Sequence, residues 1–216
     1  VLDVADAFGA EPYLSIDSMP RALGQNRDPV RSTADIPDAC SWTFTNRVSN
    51  TAPQDPAVFA AAVEGLVARV VGGSHGQPGR AVRFFEIWNE PEFCQFWDPL
   101  IDDPTGCAAD DPAERMRRYF DMAVPVLLRL QAWRQATPSA SGLRFGLGSF
   151  AAAETAAAAV EALDDAGIHL DFISFHAYHN DPMAVVDKIR LVAEAVAAST
   201  NLQQTELVLA EWGPEL

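Results

Sequence analysis

The sequence predicts an α/β chain built on a parallel sheet, and two observations support this. Short apolar runs of strand length alternate five times with longer segments whose apolar residues recur at helical spacing. Clusters of Gly, Pro and Asp separate the two kinds of segment. Repeated strand–helix units are typical of parallel sheets, because a right-handed helical crossover brings the next strand beside the last. At this level a barrel and a doubly wound sheet are both compatible with the pattern.

Five strands and four complete helices follow one another along the chain. The strands are predicted at residues 12–16, 82–88, 143–148, 170–175 and 206–210. The helices are predicted at residues 59–71, 114–136, 151–166 and 183–198, after the end of an earlier helix at 2–8. Pro125 should kink the second complete helix or begin a new segment. Long irregular stretches at about 24–56 and 92–112 have the length of functional loops.

Composition limits the partners of this chain. Its 216 residues are 49% hydrophobic, and no linker divides them, so we expect residues 1–216 to form a single domain. Fifteen basic and thirty acidic side chains give a net charge of −15, which would repel nucleic acid and anionic membranes. No apolar run approaches the 18 residues of a membrane span. We therefore expect neither a nucleic acid nor a membrane partner.

The three cysteines give no sign of a metal site. Cys40, Cys94 and Cys107 are odd in number and do not have the spacing of zinc ligands, so no metal is predicted. Cys94 and Cys107 flank an irregular stretch that a disulfide could close. Free thiols explain the same pattern equally well, and the cellular compartment stays open.

Residues that can do chemistry gather where the predicted strands end. Trp-Asn-Glu-Pro at 88–91 follows the second strand, His-Ala-Tyr at 176–178 follows the fourth, and Glu-Trp-Gly at 211–213 follows the fifth. Parallel-sheet proteins place their sites at this edge. A carboxylate at the end of a buried strand is costly to desolvate unless it has partners or a task. Glu90 and Glu211, on two different strands, form the pair that glycoside hydrolysis requires.

These segments resemble clan A glycoside hydrolases, in which Asn-Glu-Pro ends the fourth barrel strand and a second Glu ends the seventh. Within the clan the chain is most similar to family 39, the family of β-xylosidases and α-L-iduronidases. Residues 12–23, with Met-Pro-x-x-Leu at 19–23, resemble its third-strand segment, and residues 84–91 resemble its fourth strand. The resemblance implies a (β/α)8 TIM barrel, of which this chain carries about strands three to seven. We therefore expect a partial barrel, the central portion of a longer enzyme.

The resemblance also implies roles for individual residues. Glu90 would be the general acid and base, and Glu211 the nucleophile, of a retaining enzyme that acts on β-xylosides or related glycosides. Asn89 would donate to a sugar hydroxyl, and Tyr178 would donate to Glu211. His176 would bond either Glu90 or a sugar hydroxyl, unless it is simply a packed strand-end histidine. Trp97 and Trp212 would stack on sugar faces. No metal or organic cofactor is implied.

Two other classes of protein compete with this interpretation. A carbohydrate-binding barrel without turnover could use the same cleft, although a binder has no need of both Glu90 and Glu211. A Rossmann-type enzyme is disfavoured, because no Gly-x-Gly-x-x-Gly turn follows the first strand.

Overall fold

Alternating strands and helices make up the computed structural model, which describes residues 11–17, 19–20, 23–24, 52–73, 82–93, 96–97 and 111–214. The strands are β1 (Tyr13–Ile16), β2 (Phe84–Ile87), β3 (Arg144–Phe150), β4 (Phe172–Tyr178) and β5 (Glu206–Gly213). The helices are α1 (Pro56–Gly72), α2 (Pro112–Ala136), α3 (Ala153–Asp165) and α4 (Pro182–Ala198). A short 3-10 turn, Pro138–Ala140, lies between α2 and β3.

The five strands form one parallel sheet whose spatial order is the chain order, β1-β2-β3-β4-β5. In a doubly wound sheet the order in which strands are added reverses at a switch point, whereas in a (β/α)8 barrel each strand is added beside the last. The described strands are therefore part of a (β/α)8 barrel, as the resemblance predicted.

Three of the four helices begin in the same way, at an Asp-Pro pair. The carboxylates of Asp55, Asp111 and Asp181 accept hydrogen bonds from backbone N–H groups of the first helical turn, and a proline follows each of them. Asp satisfies donors that have no partner within the helix, and proline at the first position loses no hydrogen bond. These caps start the helices one to three residues before the predicted positions.

Other predicted boundaries were wrong in informative ways. The fourth strand continues three residues beyond position 175, and the fifth continues to Gly213, so the motifs predicted to follow these strands belong to them. Pro125 does not begin a new segment, because α2 runs through it as one helix. The helix end predicted at 2–8, most of both long loops and all three cysteines lie outside the described residues.

The two faces of the sheet have different surroundings. On the outer face, buried residues pack against the helices as one apolar core; they include Phe85, Ile87, Phe145, Leu147, Ile173 and Phe175. On the inner face, the rings of Tyr13, Phe84 and Phe172 form a mutually contacting trio. A Cβ at Gly146 would lie 2.3 Å from the ring of Phe172, so only glycine leaves room for this layer. Beyond the aromatic trio, toward the carboxyl ends of the strands, the inner face becomes polar.

No helix within the described residues is both long and apolar enough to cross a membrane.

Candidate active site

Glu90 lies in a segment whose backbone dihedral angles are strained. Trp88 has φ of 77° and Glu90 has φ of 46°, both in the left-handed region that residues other than glycine rarely adopt. Such conformations cost about 1–3 kcal/mol each and persist only where the surroundings enforce them. Here the N–H of Trp88 donates to Ile16 O at 2.9 Å, and the N–H of Glu90 donates to Ser149 O at 2.8 Å. Strands on both sides therefore fix the backbone that carries Glu90.

The ring of Trp88 also holds this segment in place, through contacts on the face of the sheet that packs against the helices. Its Nε1 donates to Phe96 O at 2.9 Å, and its ring meets that of Trp97 edge-on with centroids 5.1 Å apart. Trp97 in turn contacts Tyr119 of α2, whose hydroxyl donates to Ile87 O at 2.7 Å. Trp97 has no exposed surface. This burial does not support the sugar-stacking role predicted for Trp97, whose ring packs beneath the loop of Glu90.

A bulge near the end of β3 provides the acceptor for the Glu90 N–H. The pairing of β3 with β4 shifts register between Leu147 and Phe150, which leaves Gly148 and Ser149 as the irregular residues. Gly148 has φ of 120°, and a Cβ there would lie 2.4 Å from Ser174 O. Only glycine fits such a position. The bulge at these residues turns the Ser149 carbonyl toward the Glu90 N–H, which the sequence analysis did not predict.

A second bulge brings Glu211 to the inner face of the sheet. Phe175 pairs with Leu209, but His176 pairs with Glu211, so Ala210 is an extra residue on β5. Because side chains alternate along a strand, an unbroken register would have placed Glu211 on the outer face. The bulge instead sets Glu211 beside His176, as bulges near active sites commonly re-aim a side chain. The sequence carries no simple signal for this shift.

Tyr178 holds Glu211 in place. Its hydroxyl donates to Glu211 Oε2 at 2.5 Å, which is the contact that the sequence analysis predicted. The hydrogen bond to the Glu211 carboxylate, followed by burial and the nearby negative charges, raises the pKa of Tyr178 to about 12. Tyr178 therefore stays protonated at neutral pH and remains a hydrogen-bond donor to Glu211.

His176 joins the two carboxylates. Its Nδ1 lies 2.9 Å from Glu90 Oε1, and its Nε2 lies 3.7 Å from Glu211 Oε1. Only 1% of its side chain is exposed, against 16% for Glu90 and 49% for Glu211. Of the roles left open by the sequence, the structure selects contact with Glu90. Since a single imidazole spans both carboxylates, β2, β4 and β5 converge on one site.

The remaining predicted residues take different positions. The Asn89 side chain is partly buried, follows β2 and makes no hydrogen bond within the described residues, so its role toward substrate stays a prediction. Trp212 is 73% exposed and pairs with Ala177, whereas Glu211 pairs with His176. Alternation along β5 thus places Trp212 on the face opposite Glu211. The strand register does not support the stacking role predicted for Trp212.

The sequence analysis missed two buried carboxyl groups near the site. Glu86 of β2 is 2% exposed and accepts hydrogen bonds from Tyr13 and Ser174; burial raises its pKa. Glu92 accepts from the N–H of Ala152 at 3.3 Å, and burial raises its pKa to about 7. A polar residue among apolar neighbours in a predicted strand was the available signal for Glu86. No three His, Cys, Asp or Glu side chains of the described part of the chain form a group that could hold a metal ion.

We compared the chain with known protein families, curated proteins and solved structures, and only the solved structures gave matches. No protein-family model matches the sequence. No curated protein matches it significantly. Among solved structures, the chain is similar to the GH39 enzyme from Xanthomonas axonopodis pv. citri, with TM-score 0.66 and 21% identity over 98% of this chain and 38% of that one. It is also similar to the GH39 β-xylosidase from Caulobacter crescentus, with TM-score 0.61 and 23% identity over 98% and 39% of the two chains.

A glucosidase from Croceicoccus marinus has the same fold, with TM-score 0.57 and 18% identity over 98% of this chain and 36% of that one. The chain therefore has a glycosidase-type barrel fold, in agreement with the family 39 resemblance of its sequence. It spans less than two fifths of the length of each of these structures.

Proposed function

We propose that this chain is part of a family 39 retaining glycoside hydrolase that acts on β-xylosides or related glycosides. The observation that carries the proposal is the convergence of Glu90 and Glu211 on His176, in a barrel whose fold is shared with glycosidases. Two carboxyl groups facing one cleft are the machinery of glycoside hydrolysis. Their different surroundings, one largely buried and one half exposed, suit different roles.

Glu90 acts first as the general acid. Its proton passes to the glycosidic oxygen while Glu211 attacks the anomeric carbon from the opposite face of the sugar, and the aglycone alcohol leaves. The strained loop limits the freedom of Glu90, so its carboxyl is positioned before substrate binds. Asn89, next to it, donates to the sugar 2-hydroxyl, a contact that strengthens in the transition state.

Glu211 acts as the nucleophile and must be ionised. Tyr178 donates to Oε2, which leaves Oε1 as the oxygen that faces His176 and the cleft. After the glycosyl ester forms, Glu90 takes a proton from water. The resulting hydroxide attacks the anomeric carbon and releases Glu211, so two inversions retain the configuration.

A carbohydrate-binding barrel without turnover is the second candidate. A cleft lined by polar side chains from three strands would hold a sugar with or without turnover, which is the observation that favours it. Binding alone, however, does not require two carboxyl groups, Glu90 and Glu211, on one histidine.

The test is hydrolysis of a panel of aryl β-glycosides by the full-length protein, with the first-formed anomer read by proton NMR. The proposal predicts release of the β-anomer, with a xyloside among the best substrates. Release of the α-anomer would exclude the retaining mechanism. Sugar binding without hydrolysis of any member of the panel would favour the binding barrel.

A further inference from the structure

Asp17, the first residue after β1, lies on the inner face of the sheet. Leu14 and Ile16 of β1 pack against the apolar core behind the sheet. Tyr13 faces the other way, because its hydroxyl donates to Glu86 inside the barrel. Side chains alternate along a strand, so Asp17 shares the inner face with Tyr13. The Asp17 side chain is exposed, and it is therefore a carboxylate open to the interior of the barrel.

The pairing of β1 with β2 brings Asp17 beside the segment that carries Glu90. Ile16 pairs with Ile87, and the N–H of Trp88 donates to Ile16 O at 2.9 Å, so the two backbones still run side by side where β1 ends. Asp17 follows directly. It therefore flanks the strained segment on the side away from β3.

The depth of Asp17 in the barrel matches that of His176. Ser15 pairs with Glu86 in the sheet register, and Ser174 donates to Glu86, so both serines lie at the level of this carboxyl group. Asp17 follows Ser15 by two residues, and His176 follows Ser174 by two. Each is therefore about 7 Å nearer to the carboxyl ends of the strands. Asp17 thus belongs to the layer of side chains that contains the site.

The strand order places Asp17 across the barrel from Glu211. Asp17 ends β1 and Glu211 lies on β5, four strands further along the sheet. In a barrel of eight strands, two strands that are four apart face each other. Glu90, which follows β2, lies between them along the rim. A pyranose whose C1 faces Glu211 therefore has the far side of its ring, C3 and C4, toward Asp17.

We propose that Asp17 accepts hydrogen bonds from the sugar hydroxyl groups at C3 and C4 and thereby selects the glycone. The proposal rests on the proposed function, which sets C1 at Glu211. A carboxylate only accepts hydrogen bonds, and its two oxygens match two adjacent hydroxyl donors. Such charge-assisted hydrogen bonds are stronger than neutral ones. Asp17 takes no part in proton transfer and is a substrate-binding residue.

The test compares three substrates of the full-length protein: the aryl β-xyloside and its 3-deoxy and 4-deoxy analogues. In the wild type, each missing hydroxyl should lower kcat/KM by about 10–100-fold, the effect of one hydrogen bond to a charged group. In Asp17→Ala the parent xyloside should lose activity by a similar factor. The deoxy analogues should lose much less, because the contact is already incomplete, so the preference for the parent shrinks.

Glu11 provides the matched control, because it precedes the same strand at its other end and pairs with Arg83 at 3.2 Å. Glu11→Gln also removes one negative charge but should keep the wild-type preference. An equal loss on all three substrates in Asp17→Ala, or no loss on any, would overturn the proposal. If Asp17→Ala does not fold, Asp17→Asn serves in its place, since it keeps the size but replaces one acceptor by a donor. A folded Asp17→Asn with the full wild-type preference would equally overturn it.

A binding measurement separates this proposal from the proposed function. If the wild type hydrolyses no glycoside, the proposed function fails, and calorimetry with methyl β-xyloside and its two deoxy analogues still tests Asp17. We expect the wild type to bind the parent sugar about 10–100-fold more tightly than either analogue, and Asp17→Ala to lose most of this difference. Equal affinity of the wild type for all three sugars, or no binding of any, would overturn the role of Asp17.

Discussion

Glu90 and Glu211 carry the same chemical group but are held in opposite ways. Glu90 is largely buried, its backbone is strained, and two strands, a helix and two tryptophans fix its position. Glu211 is half exposed on the last described strand, and one bulge and one tyrosine orient it. The half of the site around Glu90, the proposed acid/base, is thus held by many constraints within this chain, whereas the half around Glu211, the proposed nucleophile, depends on one bulge and one tyrosine.

The largest difference between the halves should appear in the kinetics of E90Q and E211Q. E211Q removes the proposed nucleophile, so we expect a loss of at least about 10⁴-fold in kcat on every substrate of the full-length protein. E90Q removes acid assistance, so glycosides with poor leaving groups should lose about 10²–10⁴-fold, and those with activated aryl leaving groups much less in the first step. Rates are compared across a series of leaving groups. Equal losses for both variants across the series would contradict the assignment of different roles.

Two tryptophans extend the comparison to stability. Trp97 is fully buried beneath the Glu90 loop, so Trp97→Ala should destabilise the protein by about 3–5 kcal/mol. Trp212 is 73% exposed within the described residues, on the face opposite Glu211, so Trp212→Ala should change the stability of this chain by no more than about 0.5 kcal/mol. Urea unfolding at one pH measures both. A Trp97→Ala variant as stable as Trp212→Ala would show that the buried tryptophan pair does not hold the loop.

Glu92 makes the Glu90 half sensitive to pH. Its pKa is raised by burial from 4.5 to about 7, so the folded state binds its proton more tightly than the unfolded state does. Stability from this group is present below pH 4.5 and is lost as pH rises to about 7. Each pH unit is worth about 1.4 kcal/mol, so the total is about 3 kcal/mol. Glu92→Gln should remove this dependence and be the more stable form at pH 8.

Urea unfolding between pH 4.5 and pH 8 measures the effect, with Glu161→Gln as the exposed control. If wild type and Glu92→Gln keep the same stability difference at every pH, Glu92 is not buried as described. Glu92 also accepts from the N–H of Ala152, the residue that precedes α3.

Much of the fold was predictable from the sequence, because it depends on local patterns. Apolar runs and helical spacing located the five strands and four α-helices that the structure describes, and the strand-end motifs located Glu90, His176 and Glu211. The helix starts were also readable, since Asp-Pro precedes α1, α2 and α4, but the apolar pattern alone begins later.

What could not be predicted depends on three-dimensional context. The bulge at Ala210 decides which face Glu211 occupies, yet bulges leave no fixed signature in a sequence. The burial of Trp97 follows from its contact with Tyr119, which is far along the chain. Glu86 lay within an apolar run, and only the approach of Tyr13 and Ser174 from other strands gives it partners.

The most direct test of the central claim is covalent trapping of the nucleophile. An activated 2-deoxy-2-fluoro-β-glycoside slows both steps but the second more, so the glycosyl ester accumulates on a retaining enzyme. After digestion of the full-length protein, mass spectrometry should find the added sugar on the peptide that contains Glu211 in the wild type, and no label in E211Q. Label on another carboxylate, or an unlabelled wild type that nevertheless hydrolyses the parent glycoside, would contradict the account.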